Sequence, residues 1–275
     1  MQTLQKSLAS AALCAMAWHA SVAAQTTATE TSNYEPTVGQ SGKDVVWVPT
    51  PQALVDRMLA MAELTPEDRL VDLGSGDGRT VITAAKRGAT ARGIEFNPDM
   101  VALAQRAAKA EGVADKAKFE QADIFESDFS EATVLTLFLL PSLNERLRPI
   151  ILEMKPGTRV VSNSFTMGDW QPDESARVSE NCSAYCNAHK WIVPAKVAGT
   201  WKLGDQELML NQTYQMLSGS LRDGSHITPI TDARLNGEAI QFTAGNHRYT
   251  GKVSGKNMSG TTQDNTPWQA TLETP

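Results

Sequence analysis

Hydrophobic positions in the first two thirds of the chain cluster in short apolar-rich runs, several with a polar residue at or near the end. Residues 69–73, 91–96, 117–123, 133–139 and 158–163 are such runs. Continuous apolar runs bounded by turns predict strands buried on both faces. Leu54, Met58, Leu59 and Met61 recur at roughly helical spacing after Thr50-Pro51, which predicts a helix with Thr50 as its N-cap and Pro51 in its first turn. Helical patterns also cover 80–87 and 143–154, the second stopping at Pro156-Gly157. Stretches 176–179 and 190–194 suit an antiparallel pair at a sheet edge. The predicted fold is α/β, a seven-strand doubly wound (Rossmann-like) sheet.

From residue 197 the pattern changes to period two. Stretches 199–203, 207–210, 216–221, 239–242, 249–253 and 256–261 alternate, separated by Gly-Asp, Asp-Gly, Asn-Gly and Gly-Asn turns. They predict a small all-β meander domain of about six to eight strands, barrel or sandwich. Its serines, threonines and glycines predict a thin core. Its Gly199-Thr200-Trp201 start resembles lipocalin-like barrels. Residues 25–44 lack periodicity and are rich in Thr, Ser, Glu and Gly, as expected of a flexible linker. The expected organisation is therefore a leader at 1–24, a linker at 25–44, an α/β domain at 45–195 and a β-domain at 196–275.

The turn after the first strand carries the candidate chemistry. Val71-Asp72-Leu73-Gly74-Ser75-Gly76-Asp77-Gly78 joins a strand to a helix N-terminus, a junction that cradles nucleotide cofactors. The next strand ends in Glu95, placed to hydrogen-bond both hydroxyls of a ribose, and the third ends in Asp123. All of these polar positions fall at strand C-terminal ends, where open α/β sheets bind ligands. Taken singly, Asp72 and Asp77 read equally well as helix caps, and Glu95 and Asp123 as solvated strand ends. Their ordered spacing after three successive strands favours a common site. The spacing Gly74-x-Gly76-x-Gly78 departs from the G-x-G-x-x-G of nicotinamide-dependent oxidoreductases.

This Gly-loop, followed by Glu95 and Asp123, resembles the class I S-adenosylmethionine-dependent methyltransferases. Val48-Pro49-Thr50-Pro51, Phe138-Leu139-Leu140-Pro141 and the stretch Phe165-Thr166-Met167-Gly168-Asp169-Trp170-Gln171-Pro172-Asp173 resemble a subgroup of them. That subgroup includes the mitochondrial lysine methyltransferases acting on the ATP synthase c subunit and the adenine nucleotide translocase, with many bacterial relatives. The likeness covers roughly residues 46–195.

The resemblance implies S-adenosylmethionine as cofactor. It implies Gly74, Ser75 and Gly76 packed against the cofactor, Asp72 near its amino group, Glu95 on the ribose, Asp123 on the adenine amino group and Ile124 beside the ring. Thr50 and Asp77 are further expected contacts. On the acceptor side the polar-Pro-Pro-aromatic motif of many amine methyltransferases is absent. A Leu139 or Leu140 carbonyl beside Pro141 is left to receive an ammonium, with Asn163, Ser164, Phe165 and Trp170 along the acceptor channel; Phe165 and Trp170 read equally well as core aromatics at a sheet end. The implied activity is protein-lysine N-methylation, with a small-molecule or lipid amine, or a non-catalytic exported binding module, as alternatives.

Net charge changes this picture little. At −6, with no Lys/Arg-rich run, the chain gives no electrostatic footprint for nucleic acid. Lys6, the alanine-rich apolar stretch 8–22 and Val22-Ala23-Ala24 predict a cleaved export signal, or else an uncleaved N-terminal anchor. No other stretch is apolar enough to span a bilayer. Export conflicts with a cofactor made in the cytoplasm. Cys182, Cys186 and His189 form a C-x₃-C-x₂-H spacing that leaves a local disulfide, two free thiols and a metal site all open.

Overall fold

A computed structural model describes residues 34–273; the expected leader and the first part of the expected linker lie outside the described residues. The chain alternates strand and helix as its pattern requires. Helix α1 (Gln52–Met61) precedes β1 (Arg69–Leu73), α2 (Arg79–Lys86), β2 (Thr90–Glu95), α3 (Pro98–Ala110), β3 (Ala117–Gln121), β4 (Val134–Leu137), α4 (Pro141–Ile151), β5 (Arg159–Asn163), β6 (Glu174–Arg177) and β7 (Asn187–Ile192). They form one seven-stranded sheet of order β3-β2-β1-β4-β5-β7-β6. β1 to β5 run parallel, and β7 pairs antiparallel with β5 and β6. One face packs on α1, α2 and α3 through Leu54, Leu59, Val81 and Ala104. The other packs on α4 through Leu147, Ile151 and Trp191.

Local chemistry explains the helix starts and shifts two of the expected ones. α1 begins at Gln52 with Pro51 as N-cap and no side-chain cap. Thr50 therefore does not cap the helix, because its hydroxyl accepts from Asn163 Nδ2 at 3.2 Å. α4 opens at Pro141 and ends at Ile151, two to three residues earlier than the apolar periodicity of 143–154. Proline at the first helical position lacks an N–H that would have gone unpaired in any case. α3 starts with Pro98, and Asn97 Oδ1 accepts from Asp99 N at 2.9 Å.

Eight strands complete the chain: β8 (Gly199–Leu203), β9 (Gln206–Thr213), β10 (Met216–Asp223), β11 (His226–Asn236), β12 (Ala239–Ala244), β13 (His247–Ser254), β14 (Asn257–Thr262) and β15 (Pro267–Leu272). Each pairs antiparallel with its neighbours, and β15 returns to β8, so the meander closes into a barrel. Closure removes both edges. The core is not thin. Trp201, Leu208, Leu235, Phe242, Met258 and Trp268 fill it, and Phe242 stacks on Tyr249 with centroids 4.6 Å apart. β11 holds Pro229 and Asp232, the latter at φ 48, and its register slips on both sides. Proline and bulge both break a period-two pattern.

Sheet and barrel meet along a polar seam. Ala195 N donates to Gly237 O at 2.9 Å, Arg234 pairs with Asp173 at 2.9 Å, and Tyr214 Oη donates to Asp169 Oδ1 at 2.8 Å. Residues 34–47, partly expected as linker, instead fold back on themselves. Trp47 N donates to Gln40 O and Gly39 N to Trp47 O, both at 2.9 Å. That pairing presents Trp47 and Lys43 to the C-terminal edge of the sheet. No helix among the described residues is long and apolar enough to cross a membrane.

Candidate active site

A cavity of about 520 Å³ opens at the C-terminal ends of β1 to β5. All nine expected cofactor residues line it: Thr50, Asp72, Gly74, Ser75, Gly76, Asp77, Glu95, Asp123 and Ile124. Strand order explains the convergence, because the three strands carrying the Gly-loop, Glu95 and Asp123 are adjacent. The loop is held in shape from both sides. Glu95 Oε2 accepts from Gly76 N and Oε1 from Asn97 N, each at 2.9 Å. Each carboxylate oxygen keeps further acceptor capacity, so Glu95 fixes the loop and remains able to take two hydroxyl donors. Gly76 has φ 53, and a Cβ there would lie 2.7 Å from the Trp47 indole nitrogen. Gly78 has φ 82, and a Cβ would meet the Phe119 ring at 2.7 Å and Ala104 at 2.8 Å. The third glycine thus provides close helix–strand contact despite its departure from the dinucleotide spacing.

Asp72 is 7% exposed, and Thr136 Oγ1 donates to it at 2.6 Å. Burial pushes its carboxyl up to about 7, with Glu95 and Asp77 adding in the same direction and Thr136 opposing. An acid so placed is available to a cationic group that would restore its charge. Asp77 is turned toward Arg79, whose Nε lies 3.0 Å from its Oδ1, and Arg79 also donates to Thr50 O at 2.8 Å. This linkage ties the chain before α1 to the Gly-loop. Asp123 pairs with Lys43, which holds its carboxyl below the usual range, and its Oδ1 accepts from Phe125 N at 2.9 Å. The Lys43 ammonium also lies 4.8 Å from the Phe96 ring centroid. Ser75 Oγ is buried without a partner.

The expected acceptor residues divide. Leu139 and Phe165 line the cavity. Leu140 O accepts from Leu143 N at 3.0 Å and Asn144 N at 3.1 Å, so the first turn of α4 uses that carbonyl. No such donor reaches Leu139 O among the described residues. Pro141 is the first residue of α4 and lies off the cavity wall. Asn163 is fully buried and stands behind Thr50 rather than in the cavity. Trp170 is 0% exposed and corrects the channel expectation. Its indole N–H donates to Gln215 Oε1 of the barrel at 2.9 Å, and its ring stacks on Tyr214. Trp170 belongs to the seam because a buried indole N–H needs an acceptor, and the barrel supplies it.

The thiols of the C-x₃-C-x₂-H spacing are joined as a Cys182–Cys186 disulfide. His189 Nδ1 lies 2.8 Å from Ser175 Oγ, and burial pushes its imidazole below the ordinary value. Lys43, Phe96, Met100 and Tyr185 are among the cavity residues that sequence reasoning missed. Only Tyr185 carried a signal, as an aromatic enclosed between two closely spaced cysteines.

Adjacent acidic strand ends, a glycine cradle, an unpartnered buried hydroxyl and a cavity of this size fit an adenosyl cofactor. The pattern of the ANTKMT methyltransferase domain matches residues 72–174. A protein-lysine N-methyltransferase of Saccharolobus islandicus is 44% identical over 139 residues, covering 50% of this chain and 86% of that protein. The human lysine N-methyltransferase of the ATP synthase c subunit is 40% identical over 105 residues, covering 38% of this chain and 45% of that protein. A solved RNA methyltransferase of Salinibacter ruber in complex with S-adenosyl-L-homocysteine is 49% identical. It covers 55% of this chain and 96% of that one, with a TM-score of 0.52. The sheet half of this chain is therefore an S-adenosylmethionine-dependent methyltransferase, and the chain belongs to the family of the ANTKMT methyltransferase domain.

Proposed function

We propose that the protein methylates the ε-amine of a lysine in a protein acceptor. One observation carries the reading. The cavity continues from the cofactor residues of β1 to β3 into an end lined by Phe138, Leu139, Leu140, Phe165 and Tyr185 beyond β4 and β5, in a chain of which one half is 44% identical to a protein-lysine N-methyltransferase. When bound, S-adenosylmethionine supplies an electrophilic methyl group on a sulfonium that departs as a neutral thioether. Glu95, Asp123 and the Gly-loop would hold its nucleoside, and Asp72 its amino group. Once an acceptor side chain fills it, the aromatic and aliphatic end would exclude water. Desolvation there lowers the pKa of an entering ammonium, so its proton passes to water at the open mouth of the cavity and the freed lone pair of the amine can attack the methyl group. Positioning and exclusion of water make up most of what a protein adds to such a transfer.

Incubating the chain with labelled cofactor and an envelope protein extract, followed by mass spectrometry, tests this. The expected outcome is label on lysine side chains, lost with Glu95→Ala. Label confined to a low-mass amine or to added RNA would overturn it. We also infer that the protein works in an oxidising compartment, released or N-terminally anchored. The Cys182–Cys186 bond supports this, since disulfides persist where thiols are not kept reduced. Fractionation of the tagged chain checks it, and recovery from the cytoplasm alone would refute it.

A further inference from the structure

We propose that Tyr185, carried on the disulfide-closed loop between β6 and β7, is a specificity residue that completes an aromatic wall for the acceptor's ammonium group. The inference rests on the amine-acceptor reading above. Three rings meet at the acceptor end of the cavity. Phe138 follows β4 and Phe165 follows β5; their centroids are 6.1 Å apart at 21°. Tyr185 lies 5.2 Å from Phe138 at 62° and 6.1 Å from Phe165 at 56°. All three line the cavity. A cation within about 6 Å of ring centroids is attracted by their quadrupoles, most strongly where water is excluded.

The placement of Tyr185 is not what a free loop would choose. It is 44% exposed and sits at φ 56, a left-handed conformation that bulky residues rarely adopt. Such backbone persists where the surroundings over-determine it, and it clusters at ligand clamps. Here the constraint is visible. Cys186, the next residue, is bonded to Cys182, and its carbonyl accepts from Val178 N at 2.9 Å, which closes the loop at its base. The disulfide ring therefore turns Tyr185 onto the two phenylalanines.

The test uses the full chain saturated with S-adenosylhomocysteine and carrying ring-labelled Phe and Tyr. It is titrated with N-acetyl-Nε-methyl-lysine methylamide and with the neutral isostere N-acetyl-norleucine methylamide. The lysine probe should give saturable NMR shifts at Phe138, Phe165 and Tyr185, and bind more tightly than the isostere. Tyr185→Ala should weaken the lysine probe about three- to tenfold and abolish its advantage over the isostere. Tyr185→Phe should bind within twofold of the wild type. Cys182→Ser combined with Cys186→Ser should weaken the probe as Tyr185→Ala does, while S-adenosylhomocysteine affinity, the check on folding, stays within twofold throughout. Equal binding of the two probes, an absence of shifts at these rings, or an unaltered Tyr185→Ala would overturn the proposal. A wild type that binds the probe on these rings yet labels no protein lysine would remove the protein-acceptor reading and leave the wall standing. Lysine methylation with an unchanged acceptor KM in Tyr185→Ala would do the reverse.

Discussion

The two halves of this chain solve opposite problems with similar strands. The barrel closes on itself, and its interior is filled. Trp201 Nε1 donates to Val197 O at 2.8 Å and Trp268 Nε1 to Thr250 O at 3.1 Å, so even its indoles are satisfied. The sheet is open at its C-terminal edge. All the buried side-chain polar atoms without a partner among the described residues belong to the sheet half: Ser75 Oγ, Arg92 Nε, Asn144 Oδ1, Asn163 Oδ1 and Ser164 Oγ. Four of these lie just after β1, at the end of β5, or on the α4 turn facing it. Unsatisfied groups are costly, and of these only Ser75 Oγ lines the cavity, where a ligand can supply the missing partner. No barrel residue lines the cavity.

The comparison predicts that damage to the barrel reads as lost stability and damage to the sheet edge as lost binding. The largest expected effect is in the barrel. Phe242 is 0% exposed between Tyr249 and Trp268. Phe242→Ala should destabilise the chain by about 3–5 kcal/mol in denaturant unfolding, with cofactor affinity of the folded fraction unchanged. A comparable loss of cofactor affinity without loss of stability would reverse the assignment of roles. Next, Glu95→Ala should raise the cofactor Kd about ten- to hundredfold by calorimetry, the equivalent of losing hydrogen bonds to a charged acceptor. Because Gly76 N and Asn97 N lose their acceptor, a stability loss of about 1–2 kcal/mol should accompany it, smaller than that of Phe242→Ala.

Asp72 connects binding with pH, and the sign is determined by burial. Its folded-state value, about 7, lies above the ordinary carboxyl value of 3.8. The native state therefore holds a proton between these pH values that the unfolded chain has released. This contribution to stability is fully present below pH 4 and is lost as pH rises through about 7. Cofactor binding has the opposite preference, because an amino group of the ligand needs the ionised acid. Kd should rise as pH falls below 7, approaching tenfold per unit. Asp72→Asn should flatten that profile and, without cofactor, remove the decline in stability between about pH 4 and 7. A profile identical in the two proteins would detach Asp72 from the ligand.

The sequence disclosed the sheet's site more readily than the barrel because of how each is encoded. Parallel strands buried on both faces leave continuous apolar runs, and the ligand-facing residues follow them directly, so Gly74, Glu95 and Asp123 were legible as an ordered set. β11 was not, since Pro229 and the bulge at Asp232 erase its alternation. α3 is alanine-rich, and its clearest signal was only the Asn97-Pro98 cap. Lys43 and Tyr185 reach the cavity from segments whose positions depend on tertiary contacts, on the pairing of residues 39–47 in one case and on a disulfide in the other. Trp170 was misplaced for the same reason. An aromatic after β5 reads equally as cavity lining or as core until the barrel that receives its N–H is known.

That seam gives the smallest and sharpest prediction, because it lies where the two regions meet. Trp170 donates to Gln215 Oε1, while Gln215 Nε2 donates to Gln171 O at 2.9 Å. Trp170→Phe keeps an aromatic ring against Tyr214 and Trp191 and deletes one donor, leaving Gln215 Oε1 buried without a partner. The expected result is a loss of about 1 kcal/mol in unfolding free energy, with acceptor KM and cofactor Kd both unchanged. Were Trp170 part of the acceptor channel, the reverse would hold, with KM rising and stability little altered. A rise in KM together with the stability loss would mean that the barrel's docking is felt at the acceptor end of the cavity, and the separation of roles between the two halves would fail at their joint.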